Sequence, residues 1–168
     1  MIVSMKCSGN QWGQMKSKVI VYGLILTGIF ATFKLIDFNN KSVSCIGVYV
    51  DFNNLDNNRR IIECVPESGK TNALQILSKA DIKVDGTIKY GNAVACRVNS
   101  LPGPDVEPCS TMPPENAYWA IIVKKSKTIS DPFPKWGWAK TGISDVYLYP
   151  GESIGLVYTK DGKVNWPD

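Results

Sequence analysis

Hydrophobic and polar positions divide the chain into two regimes. Residues 19–33 form an apolar run broken only by glycine and threonine, and with Lys34 laid alongside as a snorkelling stem it continues to Ile36. Beyond residue 44 the pattern changes to short β-branched and aromatic segments separated by turn residues. C-I-G-V-Y-V-D-F at 45–52 reads as a strand, N-N-L-D-N-N as a turn and R-I-I-E-C-V as the returning strand of a hairpin. After Pro66 the period lengthens: Ala73, Leu74, Ile76, Leu77 and Ala80 share one helical face, with Thr71 as the expected N-cap. Residues 81–86 and 87–90 are short strand candidates, and 93–99 is a clearer strand carrying Cys96. The strongest strand is 118–123; W-G-W-A-K, V-Y-L-Y and the alternating S-I-G-L-V-Y follow a Pro-interrupted loop. A hairpin, one helix and several further strands predict an α+β domain, the helix packed on a mixed sheet in the order of a β-grasp.

Charge separates the same two regimes. Residues 1–42 hold Lys6, Lys16, Lys18, Lys34 and Lys41 against Asp37, which accounts for the whole net charge of +4, while the other 14 basic and 14 acidic residues cancel. A neutral domain lacks the electrostatic footprint of a nucleic-acid binder, and Lys124, Lys125 and Lys127 read as a solvated strand end. Lys6, Lys16 and Lys18 precede the apolar run without an acidic neighbour, so the positive-inside bias orients the N-terminus to the cytoplasm and the domain outward. The expected organisation is a cytoplasmic N-terminus (1–18), a transmembrane or signal-anchor helix (19–36), a short tether (37–44) and one folded domain (45–168). Such a chain is a single-pass cell-membrane protein; the alternative is secretion after cleavage near Ser44, where Ser42 and Ser44 supply small residues.

Export makes the cysteines informative. Cys45, Cys64, Cys96 and Cys109 all fall outside the membrane and allow three pairings; the sequence-local one, Cys45 with Cys64 and Cys96 with Cys109, closes the shortest loops. Cys7 remains on the inner side. The chain has no histidine and no C-x-x-C spacing, which argues against structural zinc.

Without histidine, Ser-His-Asp and Cys-His nucleophilic catalysis are excluded, and no catalytic constellation stands out, so a non-enzymatic role is expected. Asp51, Asp56, Glu63, Glu67, Asp105, Glu107 and Glu115 offer carboxylates for glycoside hydrolysis, but their spacing selects no pair. Gly69-Lys70-Thr71 stands between a strand and a helix, yet the phosphate-loop pattern needs glycine where Cys64 stands. The aromatics are more informative. Tyr118, Trp119, Trp136, Trp138, Tyr147, Tyr149, Tyr158 and Trp166 crowd the last third, either as a stacking surface for a ringed ligand or as core. Neighbours on a strand face opposite sides, so Tyr118 and Trp119 cannot share a role: one faces the core and the other faces solvent or a ligand, with Trp119 outward in one reading and Tyr118 in its reverse.

Tyr118-Trp119, then Gly142-Ile143-Ser144-Asp145 and Tyr149-Pro150-Gly151-Glu152-Ser153-Ile154, together with Val50-Asp51-Phe52 and the Cys96 to Asn99 strand, carry a resemblance. Residues 45–160 resemble the C-terminal β-grasp domain of the transcobalamin and intrinsic factor family, and small membrane-anchored bacterial proteins carrying that domain alone. The resemblance implies a ligand-binding module accessory to uptake, with a corrinoid or other vitamin as its ligand and an uptake-system protein as its partner. It implies ligand contacts from Tyr118, Trp119, Gly142, Ile143, Asp145 and Tyr147. In those carriers a helical barrel supplies the other half of the site, and this sequence holds no counterpart to it. The alternative is a noncatalytic cell-surface interaction or scaffold domain that uses loop 100–116.

Overall fold

The computed structural model describes residues 44–159 and 161–167. The expected cytoplasmic segment, the apolar segment 19–36 and tether residues 37–43 lie outside them, and among the described residues no helix is long and apolar enough to cross a membrane. Residues 43–168 form one compact unit that carries its own core and both disulfides.

The expected hairpin is present as β1 (Cys45–Asp51) and β2 (Arg60–Pro66), antiparallel with Cys45 opposite Pro66 and Asp51 opposite Arg60. Its turn places Asn53, Asn57 and Asn58 at positive φ, a region that asparagine tolerates better than most residues. Farther along come β6 (Trp119–Lys124), β7 (Trp136–Trp138) and β9 (Ser153–Tyr158), and the five strands make one sheet in the order β2-β1-β9-β6-β7. β1 and β9 run parallel at its centre; every other pairing is antiparallel. This is a mixed α+β fold with one α-helix among the described residues.

That helix, α1 (Ala73–Lys79), starts at Asn72, whose side chain accepts the Leu74 N–H at 2.9 Å. Thr71 is therefore not the cap: it belongs to β3 (Thr71–Asn72), paired with β8 (Tyr147–Leu148), which fixes its backbone as strand. The helix ends in a Schellman arrangement, Ile82 N–H to Leu77 O and Asp81 N–H to Ser78 O, with Asp81 at φ 56° in the position glycine usually takes. Ala73, Ile76 and Leu77 are buried, as the periodicity predicted, and Leu74 and Ala80 pack at the margin.

The segment after the helix differs from expectation. β4 (Val84–Thr87) and β5 (Gly91–Val98) form a separate two-stranded sheet, and Ile88 to Tyr90 is its turn rather than a strand. Gly86 lies so close to the Gly91 carbonyl that a Cβ there would stand 2.2 Å from the oxygen, so the bulged crossing accepts only glycine.

Alternation along the strands gives the main sheet two apolar faces. Ile46, Val48, Val50, Trp119, Ile154, Leu156 and Tyr158 face α1 and the small sheets. Tyr49, Ala120, Ile122 and Val157 make a second cluster on the other face, with Trp136 and Val164 over it. Trp136 lies across Gly155, whose missing side chain leaves room for the indole. Asp51, on this second face and 1% exposed, accepts from the Tyr49 hydroxyl, the Asn53 N–H and Arg60 Nε at 2.8 to 3.0 Å. Three donors are what allow a carboxylate to be buried there.

Candidate functional site

The pairing Cys45–Cys64 and Cys96–Cys109 is present, with Cα separations of 5.6 and 5.7 Å. The second disulfide is the base of the loop that leads to the candidate site. Arg97 on β5 donates through Nε to the Pro102 carbonyl at 3.1 Å and through its guanidinium to the Glu107 carbonyl. The Glu107 carboxylate accepts the Cys109 N–H at 2.9 Å, and Cys109 O accepts from Ile88 N–H at 2.7 Å. A proline-rich segment without regular structure is thus pinned against β5 at several points. Cys96, Glu107 and Cys109 approach one another closely, but both sulfurs are spent in the disulfide, so the trio is no metal site.

Past Ser110 the chain crosses between β5 and β6, which are not hydrogen-bonded to each other, and leaves a groove of about 380 Å³. Ala93, Val94 and Ala95 of β5 form one wall, Met112, Pro113 and Glu115 the rim, and Tyr118, Trp119 and Ile121 the other wall. The volume is at the lower end of what small-molecule sites enclose. The lining is largely apolar, with Glu115 its one charged side chain, exposed at the rim.

Of the two readings of Tyr118 and Trp119, the structure has Trp119 inward. Trp119 is 4% exposed: its ring packs edge-on against Phe52 (5.4 Å) and Tyr158 (5.3 Å), and its indole N–H donates to Leu101 O at 3.0 Å. It still borders the groove. Tyr118 is half-buried, packs against the second-face cluster and borders the groove. Period-two alternation required opposite faces but held no information on which face the helix covers.

Of the other expected contacts, Gly142 lies nearest. A Cβ on it would come within 2.6 to 2.8 Å of Ala93, the residue that lines the groove, so this glycine lets the 142–145 turn press on the back of β5. Ile143 is fully buried in the core and cannot touch a ligand. Asp145 is exposed and accepts from the Ser144 hydroxyl, and Tyr147 is exposed beneath Lys70 Nζ at 4.8 Å, both outside the groove. The segment therefore supports the groove without lining it. Met112, Pro113 and Glu115 were expected only as part of the 100–116 contact loop of the scaffold alternative and not as ligand contacts, because a polar, proline-rich stretch carries no periodicity.

Several of the carboxylates have structural partners. Asp51, Glu107 and Glu152 are buried and hydrogen-bonded, Glu152 by the Tyr149 N–H at 2.9 Å and by Lys125 at 3.2 Å; Glu67 pairs with Lys79. Burial, and next the negative charge of Glu107, hold the Tyr158 phenol above its ordinary pKa. Thr71, the third residue of Gly69-Lys70-Thr71, hydrogen-bonds Glu67, and the triplet is a turn into β3. No protein-family model, curated protein or solved structure matches this chain.

Proposed function

We propose that this chain is an exported, membrane-anchored binding module of β-grasp type, which holds an apolar or ringed group in the groove between β5 and β6. The observation that carries the reading is the groove itself. It is about 380 Å³, walled by Ala93, Ala95, Tyr118 and Ile121, and the loop that precedes its rim in the chain is held by a disulfide and Arg97. Walls built largely on paired strands lose little conformational entropy when a ligand enters, which favours binding over a surface that must first be ordered. Glu115 at the rim adds a preference for a ligand carrying a donor or a positive group next to its apolar part.

The β-grasp assignment draws support from the strand order β2-β1-β9-β6-β7 with a parallel central pair, the order in which a leading hairpin, a helix and a trailing hairpin close on a final central strand. Two disulfides fit an oxidising compartment outside the cytoplasm. Within this reading the transcobalamin-like likeness makes a corrinoid one candidate. A corrinoid with its side chains and nucleotide tail far exceeds the groove, so the domain would grip an edge or side group and leave the remainder to a partner in uptake. The scaffold reading is favoured by a different observation, the exposure of Val106 and Met112 on the 100–116 loop, which would then be a protein contact. Tryptophan fluorescence of residues 43–168, titrated with corrinoids, flavins and smaller heteroaromatic amines, separates the two. Saturable quenching that Tyr118→Ala weakens supports the groove; no response to any of them favours the protein contact.

A further inference from the structure

The sheet register puts two features at the same end of the domain. Gly47 pairs with Ser153, Ser153 with Lys124 and Lys124 with Trp136, so the start of β1, the start of β9, the end of β6 and the start of β7 lie side by side. Three strand steps of about 4.8 Å separate β1 from β7, roughly 14 Å. The chain therefore enters the domain on the same side as loop 125–135, and Gly151 stands near both: its N–H donates to Cys45 O at 2.8 Å, and a Cβ on it would lie 3.6 Å from that of Ser126.

This loop has an unusual surface. Ile129 is fully exposed, Phe133 is 80% exposed, and Tyr149 on the adjoining turn is half-exposed. Residues 124–140 contain five lysines against Asp131 alone, although the domain as a whole is neutral; among the described residues only Lys125 of the five has a carboxylate partner, Glu152. Apolar tips set among lysines suit one kind of surface, the headgroup and upper acyl region of an anionic bilayer.

We propose that loop 125–135 docks on the membrane surface, with Ile129 and Phe133 entering the interface and Lys127 and Lys135 meeting anionic headgroups. The inference rests on the anchored reading above and deepens it. If 19–36 spans the bilayer, residues 37–43 reach at most about 24 Å when fully extended, so the end of the sheet that bears Cys45 stays within reach of the headgroups. Docking at that end turns the opposite end, with the 53–59 and 100–118 loops, away from the bilayer. Trp119, which borders the groove, begins β6 there, paired with Tyr158 at the end of β9.

Two arms test this. In the full chain reconstituted into phosphatidylcholine vesicles with about a third phosphatidylglycerol, amide exchange over 125–135 is expected to slow at least about tenfold relative to phosphatidylcholine alone. High salt should reverse much of the slowing. In sedimentation with the same vesicles, residues 43–168, which carry their own core, should bind the anionic vesicles preferentially. Ile129→Ser with Phe133→Ser should weaken binding about tenfold or more, and Lys127→Gln or Lys135→Gln about fivefold each. All four sites are exposed, so unchanged thermal unfolding verifies the fold. Equal exchange in both lipids, or a double variant that binds as well as the parent, overturns the docking. Extraction of the full chain by alkaline carbonate would overturn the anchor instead, and sedimentation of residues 43–168 still reads the loop.

Discussion

Trp119→Ala and Tyr118→Ala form a matched pair of perturbations on adjacent residues. Trp119 is buried, stacked edge-on between Phe52 and Tyr158 and bonded through Nε1 to Leu101 O. Truncating a buried tryptophan costs about 3–5 kcal/mol. Two aromatic pairs at about 0.5–1.5 kcal/mol each, and a carbonyl left without its donor, put this site in the upper half of that range. A domain of this size has only about 5–15 kcal/mol in total, so the variant should lose a large share of its stability and unfold at a much lower urea concentration. Trp119→Phe keeps the ring contacts and loses the hydrogen bond, about 1–1.5 kcal/mol. Half-buried Tyr118 should cost about 1–2 kcal/mol on truncation. The assay is urea unfolding of residues 43–168 followed by far-ultraviolet circular dichroism, reading the midpoint at constant slope. A Trp119→Ala midpoint at or above that of Tyr118→Ala would refute the assignment of Trp119 to the core.

Three further outcomes follow from the packing. Asp51→Ala removes the acceptor shared by the Tyr49 hydroxyl, the buried Asn53 N–H and Arg60, and should cost about 2–3 kcal/mol in the same urea assay. Replacing Cys96 and Cys109 by serine opens a loop with a sequence separation of 13 and should cost about 3 kcal/mol, with groove binding lost at temperatures where the domain is still folded. Tyr158 ionises at higher pH folded than unfolded, so the unfolded chain gives up this proton first. Its contribution is intact below about pH 10 and is lost as pH rises through the folded pKa, and Tyr158→Phe should flatten that alkaline decline in thermal stability.

Local chemistry was legible where short range decides the outcome. The β1–β2 hairpin, the buried face of α1 and the strands β6 and β9 follow from period and turn residues, and the disulfide pairing from loop length. What sequence left open depended on contacts between distant segments. The N-cap moved from Thr71 to Asn72 because Thr71 pairs with Leu148, 77 positions away. β4 and β5 separated from the main sheet because their bulged crossing at Gly86 directs them over the helix side. The inward turn of Trp119 followed from which face α1 covers, a choice that alternation alone does not make. Of the six expected ligand contacts, Tyr118 and Trp119 border the groove, Gly142 supports it from behind, and Ile143, Asp145 and Tyr147 lie elsewhere.

The claim that the groove between β5 and β6 is the binding site is tested most directly by two-dimensional nitrogen–proton correlation spectra of residues 43–168. Spectra are recorded during titration with the panel of corrinoids, flavins and heteroaromatic amines. The account predicts that a binding compound shifts the amides of residues 93–95, 112–115 and 118–121 together, saturably, and that Tyr118→Ala weakens the response. Saturable shifts confined to loop 125–135 or to the Trp138 and Trp166 face, with the groove amides unmoved, would contradict it.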